Sequence, residues 1–210
     1  NDAPELSAAG STLAYSEDDA ATVIDASLTI ADVDDTDIES ASITISSGYQ
    51  SSEDVLAFTN ANGISGAWDS GTGVMTLTGS ATKANYEASL ESITYQNTNT
   101  DDPNNTNRTI TWVVNDGTDN SSDVTSTITV ADVNDAPVLT AIGNQTTDED
   151  TDAVLTLGFS DADIGDSVTY TAVVNSGDVT ATVSGTTLTL APASDWNGSA
   201  SITVTVDDGE

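Results

Sequence analysis

Apolar residues in this chain return at every second position, and that period limits the folds open to it. Ile110-Thr-Trp112-Val-Val114 is one such run; Val168-Thr-Tyr170-Thr-Ala172, Leu188-Thr-Leu190 and Ile202-Thr-Val204-Thr-Val206 are others. Period two with Thr on the alternate sites is the pattern of an antiparallel sheet with one buried face. Thr suits the wet face because its β-branch fits the pleat while its hydroxyl stays solvated. Clusters of Gly, Asn, Asp and Ser separate the runs, at Ser70–Gly73, Asn115–Gly117, Asn175–Asp178 and Ser184–Gly185. Short strands at this spacing predict an all-β chain of Ig-like, Greek-key β-sandwiches. One stretch departs from the pattern. Ala81 to Ser92 carries Tyr86 and Leu90 at i, i+4 among good helix formers, which predicts a short helix near 81–91 over one end of the first sandwich.

The chain repeats itself. Asn1-Asp2-Ala3-Pro4 recurs as Asn134-Asp135-Ala136-Pro137, inside the longer run Asp132-Val133-Asn134-Asp135. The second copy directly follows an alternating segment ending at Val130, so it reads as a linker between β-domains. Two domains in tandem are expected, 1–131 and 132–210. Their ends align: Trp112-Val-Val-Asn115-Asp116-Gly117 in the first matches Val204-Thr-Val-Asp207-Asp208-Gly209 in the second. The first unit has a further strand after this motif, through Val130, and the second stops at Glu210. The second sandwich is therefore expected to lack its last strand, leaving an open sheet edge. The chain begins inside a linker copy and reads as an excerpt of a longer protein.

Charge bounds the partners. Asp and Glu number 35 against Lys83 and Arg108, a net charge of −33. Such a surface repels nucleic acid and anionic membrane, and attracts divalent cations. Two carboxylates about 4 Å apart at an effective dielectric near 20 repel by roughly 4 kcal/mol. The bulk acidity reads as the general surface of a marine or salt-loving protein; only the clustered acids read as sites. Cys is absent, so stability must come from core packing, metal, or both. No apolar stretch approaches the roughly 20 residues of a membrane span, and no membrane insertion is expected.

The acids recur in a fixed order. Asn1-Asp2 precedes Glu17-Asp18 and then Asp32-x-Asp34, while Asn134-Asp135 precedes Glu149-Asp150 and then Asp161-x-Asp163. The first gap differs by a single residue between units. Turn preference alone explains any one Asp, but not the repeated order. Calcium takes six to eight oxygen ligands from carboxylates and carbonyls, and this set offers them. The expected metal ligands are Glu17, Asp18, Asp116, Asp132, Asn134, Asp135, Asp161 and Asp163. Asp2, Asp32 and Asp34 form a half-site toward a preceding domain. Glu149, Asp150 and Asp208 form one toward a following domain. An EF-hand is excluded, since the sixth and twelfth positions from Asp161 are Asp166 and Ala172, and from Asp32 they are Asp37 and Ile43.

The Asp-x-Asn-Asp-Ala-Pro linker, the following Glu-Asp and the later Asp-x-Asp resemble cadherins and, more closely, bacterial cadherin-like tandem repeats. Leu190-Ala-Pro-Ala-Ser-Asp195-Trp196-Asn197-Gly198 through Gly209 is similar to the end of such a repeat. So is Tyr86…Leu90…Tyr95…Arg108-Thr-Ile-Thr-Trp112…Gly117. The resemblance implies calcium held by the linker acids, Glu17, Asp161 and Asp163, stiffening an array in a very large extracellular adhesin. It also implies attachment at a bacterial cell surface, a part in cell adhesion and biofilm, and RTX-type export by type I secretion. The implied partners are neighbouring repeats of the same chain. The first unit is long for a cadherin repeat, and the family's three-residue acidic ligand motif is not evident.

Enzyme chemistry has little to stand on. With neither His nor Cys, Ser-His and Cys-His nucleophile pairs and the usual zinc sites are impossible. The alternative function is a calcium-dependent carbohydrate-binding module with polysaccharide as partner, using Trp68, Trp112 or Trp196 as stacking surfaces. Trp112 lies in phase with Ile110 and Val114 and reads as core, which leaves Trp68 as the most exposed candidate.

Overall fold

The computed structural model describes residues 1–7 and 10–210. The chain divides into two compact units, Asn1–Val133 and Asn134–Glu210. Both are built of short β-strands, and the described residues hold one short helix, in the first unit.

Unit 1 runs β1 (Glu5–Ser7), β2 (Thr12–Ser16), β3 (Thr22–Val23), β4 (Thr29–Ala31), β5 (Asp37–Ser47), β6 (Asp54–Ala57), β7 (Ser65–Asp69), β8 (Val74–Thr82), α1 (Lys83–Leu90), β9 (Thr94–Asn97), β10 (Arg108–Asn115) and β11 (Val124–Ala131). A six-stranded sheet in the order β2-β11-β10-β5-β8-β7 faces a three-stranded sheet, β3-β9-β6, and β1 pairs with β4. The alternation seen in sequence is realised residue by residue: along β10, Arg108, Ile110, Trp112 and Val114 are buried and their neighbours are half-buried. Ile38, Ile43, Leu77, Tyr86, Tyr95 and Ile128 join them in one continuous core. The helix begins at Thr82, whose hydroxyl accepts from the Asn85 N–H. Tyr86 and Leu90 turn inward as their spacing requires.

That core also holds charge. Arg108 is fully buried and meets Asp54 through three hydrogen bonds, with Nε reaching both carboxylate oxygens at 3.1 Å and Nη2 reaching Oδ1 at 3.0 Å. The Tyr95 hydroxyl donates to the same Asp54 oxygen at 2.7 Å. Arg108 Nη1 donates to the carbonyls of Asn104 and Thr106, and Nη2 lies 3.5 Å from Glu53. The guanidinium thus ties the loop ahead of β10 to the other sheet. A second polar chain crosses the core, from Trp112 Nε1 to Ser126 Oγ at 3.0 Å and from Ser126 Oγ to Asp25 at 2.8 Å.

Unit 2 runs β12 (Val138–Leu139), β13 (Ala153–Thr156), β14 (Phe159–Ser160), β15 (Thr169–Ser176), β16 (Val179–Ser184), β17 (Thr187–Pro192) and β18 (Ser201–Asp207). Its sheets are β12-β14, β13-β17-β16 and β15-β18. The counterpart of β10 is β18, which pairs with β15, and among the described residues no strand pairs with its other edge. The core is correspondingly open. Leu157 and Leu188 are buried, Val154 and Val173 are 66% and 58% exposed, and a cleft of about 980 Å³ is lined by Leu139, Leu155, Leu188, Leu190, Ile202 and Val204.

Replacing Arg108 with Leu strands Asp54 and Glu53 without their cation. Loss of one partner of a buried pair costs about 3–5 kcal/mol, so the urea midpoint followed by tryptophan fluorescence should fall sharply. An unchanged midpoint would show that the pair contributes nothing.

Candidate metal centre

Strand direction decides which acids meet. In unit 1, β10 and β5 are antiparallel with Asn115 opposite Ser40. The Asn115-Asp116-Gly117 turn therefore comes off β10 beside the start of β5, where the Asp32–Asp35 loop arrives. The linker residues close the group: Asn1 Nδ2 donates to Asp116 and to Asp119, both at 3.0 Å, and the Asp2 N–H donates to Asp34 at 3.1 Å. Asp32 Oδ1 accepts from the N–H groups of Asp34 and Asp35 at 3.1 and 3.0 Å. Asp32, Asp34 and Asp35 can each bring one carboxylate oxygen within 4.8 Å of the others. Asp32 Oδ2 is shut off from solvent and receives no hydrogen bond.

Unit 2 builds the same end from the same parts. Antiparallel β15 and β18 set Asp207 opposite Thr169, so Asp208 arrives beside the loop of Asp161 to Asp166. Asn134 Nδ2 donates to Asp208 at 3.1 Å, and the Asp135 N–H donates to Asp163 Oδ2 at 2.6 Å. Asp163 is only 7% exposed. Its Oδ1, together with Asp161 Oδ2, is buried with no hydrogen-bond partner.

The opposite end of unit 1 is formed by β2 and β11, which run parallel with Ala131 opposite Ser16. Glu17 follows directly, 4% exposed, with its carboxylate accepting the Val133 N–H at 2.9 Å and its own N–H bound to the Ala131 carbonyl. Asp132 lies between those two linker residues. Asp18 is exposed and takes φ 62°, matched by φ 61° at Asp150, so both Glu-Asp pairs make the same left-handed turn. Glu149 and Asp150 are exposed, and Asp150 accepts from the Asp195 N–H at 2.9 Å.

Two placements differ from the sequence expectation. Asp116 was expected beside Glu17 and Asp132, but it sits with Asn1 and Asp34. Asp208 was expected to face a following domain, but it sits with Asn134. Antiparallel pairing carries the ends of β10 and β18 back to the end of the unit where the linker comes in. The repeat alignment already put Asp116 and Asp208 in equivalent places, and that equivalence was the signal to use. Asp35, Asp119 and Asp166 were missed, being separated from their partners by turns rather than by a fixed spacing.

Electrostatics at the two ends run in parallel. Burial, then the charges of Asp34, Asp32 and Asp116, push Asp35 above the ordinary aspartate range. Burial, then Asp163, Asp161 and Asp208, do the same to Asp166. The Asp119 N–H and the Asn1 side chain hold Asp116 low, and the Glu210 N–H and Asn134 hold Asp208 low. The raised pair favours folding fully below the unfolded aspartate value, and this contribution is lost as pH rises through the raised values. At neutral pH both ends are therefore clusters of mutually repelling anions. An all-oxygen donor set with sealed-off carboxylate oxygens fits a hard cation such as calcium.

Trp112 is fully buried. Trp68 is half-buried, its ring edge-on to Tyr49 at 6.1 Å, and Trp196 is half-buried against Gly198. No open aromatic platform results, and polysaccharide binding finds no support here.

Residues 133–210 match the family described as Cadherin-like domain. Over 98 residues, 44% of this chain, the sequence is 37% identical to halomucin of Haloquadratum walsbyi, of which the match covers 1%. Among solved structures the chain is similar to mouse cadherin-23 EC22-24, at 13% identity and TM-score 0.43, covering 92% of this chain and 55% of that one. It is also similar to protocadherin gamma B7 cadherin domains 1-4, at 15% identity and TM-score 0.42, covering 98% and 49%. The chain thus spans about half the length of these structures and a small fraction of halomucin. The family match thus falls on unit 2, which is similar to a cadherin-like domain over its length. Among the described residues, no helix is long and apolar enough to cross a membrane.

Repulsion of this kind is screened by salt over about 10 Å at 0.1 M. In chelator, raising NaCl from about 10 mM to about 1 M, where the screening length falls to about 3 Å, should raise the melting temperature. A flat response would mean that the clustered acids do not strain the fold.

Proposed function

We propose that this chain is a pair of calcium-stiffened spacer repeats from a large extracellular adhesin. The observation that carries the reading is the pair of buried carboxylate oxygens, Asp161 Oδ2 and Asp163 Oδ1, that no protein group hydrogen-bonds. A buried anion left without a donor is costly; a divalent cation would satisfy both atoms. Asp161, Asp163 and Asp208 would hold the ion in unit 2. Asp32, Asp34 and Asp116 would hold its counterpart in unit 1. Glu17, Asp18 and Asp132 would add carboxylate oxygens at the other end of unit 1, where β2 and β11 finish side by side.

The cadherin-like match of the second unit supports an adhesion-type, extracellular role. The halomucin alignment supports membership of a very long chain, since 98 residues make up 1% of that relative. Neighbouring repeats are the partners this reading requires. Stiffening follows from charge: without metal the acids push apart, and with it they share one cation. Attachment to a bacterial surface, biofilm formation and RTX-type export belong to the same reading.

Calcium at about one hundred times its Kd should stabilise the fold by about 2.7 kcal/mol by mass action. The melting temperature should rise accordingly, fall back on EDTA addition, and respond weakly to magnesium. Asp161→Asn with Asp163→Asn should weaken calcium binding in isothermal titration about tenfold or more, through lost charge-assisted contacts. Identical melting curves in calcium and EDTA would rule the function out. Small-angle scattering should report a narrower distribution of lengths with calcium than without it.

A further inference from the structure

The chain's sole lysine does not sit on the surface with a carboxylate; it is spent on two backbone carbonyls of the unit 1 acidic loop. Lys83, the first residue of α1, donates from Nζ to the Asp32 carbonyl at 2.8 Å and the Asp35 carbonyl at 2.6 Å. Its own N–H bonds the Thr36 carbonyl at 3.3 Å. One turn later on the same helix, Glu87 accepts the Ile30 N–H at 2.7 Å. The helix therefore grips the segment on both sides of the acids, with Glu87 before them and Lys83 behind the two ends of the loop. A positive charge on two carbonyls is a strong, charge-assisted contact. The lysine takes the carbonyls and leaves the carboxylates, and Asp32, Asp34 and Asp35 can each bring one oxygen within 4.8 Å of the others.

Unit 2 has no such brace. Its loop, Asp161 to Asp166, has no helix over it among the described residues, and both basic residues of the sequence, Lys83 and Arg108, belong to unit 1. Within that loop the one bond given to Asp161 is from the Asp163 N–H at 3.4 Å, against two shorter ones to Asp32 in unit 1. We propose that Lys83 is a positioning residue that holds the unit 1 acidic loop in its binding shape before any metal arrives, so that the two ends differ. One is preformed, and the other is ordered by the ion. The difference in calcium response rests on the function proposed above; the brace itself does not.

Amide hydrogen exchange on the full 210-residue chain in EDTA tests this. In the wild type, Asp34 and Asp35 should exchange about tenfold or more slowly relative to Asp163, the scale of one hydrogen bond to a charged group. Lys83→Met should erase that protection while leaving the β5 and β10 amides slow; Lys83→Arg should restore part of it. Equal rates at the two loops in the wild type overturn the proposal without any variant. So does a folded Lys83→Met chain in which Asp34 and Asp35 stay protected. Calcium should then slow Asp163 more than Asp34. If calcium moves neither loop while the Lys83 effect persists, the calcium function fails and the brace stands.

Discussion

Like-charge repulsion at the linker end of each unit is the constraint around which the rest is arranged. Antiparallel pairing forces the Asp-Gly turns after β10 and β18 against the acidic loops that precede β5 and β15. The carboxylates cannot avoid one another without breaking the ladder. The protein offsets part of the repulsion with neutral donors, the Asn1 and Asn134 side chains and the backbone N–H groups of Asp2 and Asp135. Backbone donors supply partial charge and leave the net charge of each cluster unchanged. What remains is a set of oxygens facing one another with too few protons between them.

Much of this was legible in the sequence. The alternation along β10 and β18 and the short helix carrying Tyr86 and Leu90 follow from local pattern. Of the acid repeat, the Asn-Asp and Asp-x-Asp members meet at one end of each unit, while Glu17 lies at the other end of unit 1. Local pattern has no access to pairing partners, however, and that is where it erred. Asp116 and Asp208 follow equivalent strands, so they must share a location; assigning them to opposite ends ignored the direction of the strands. The Arg108–Asp54–Tyr95 network joins residues more than forty positions apart, and no periodicity announces it. The two carbonyl partners of Lys83 lie about fifty residues upstream of it, beyond the reach of any local pattern.

The two units divide their resources unequally. Unit 1 keeps both basic residues, one deep in the core and one under the acidic loop, and closes its sheets around a continuous apolar interior. Unit 2 has no internal cation and an open interior.

The parallel pairing of β2 with β11 gives unit 1 a mechanical property. These strands lie near opposite ends of the unit's chain yet run side by side, in register from Thr12 with Thr127 to Ser16 with Ala131. Tension applied along the polypeptide pulls them past each other lengthwise. Every bond between them then bears the load together, rather than parting one by one like a zip.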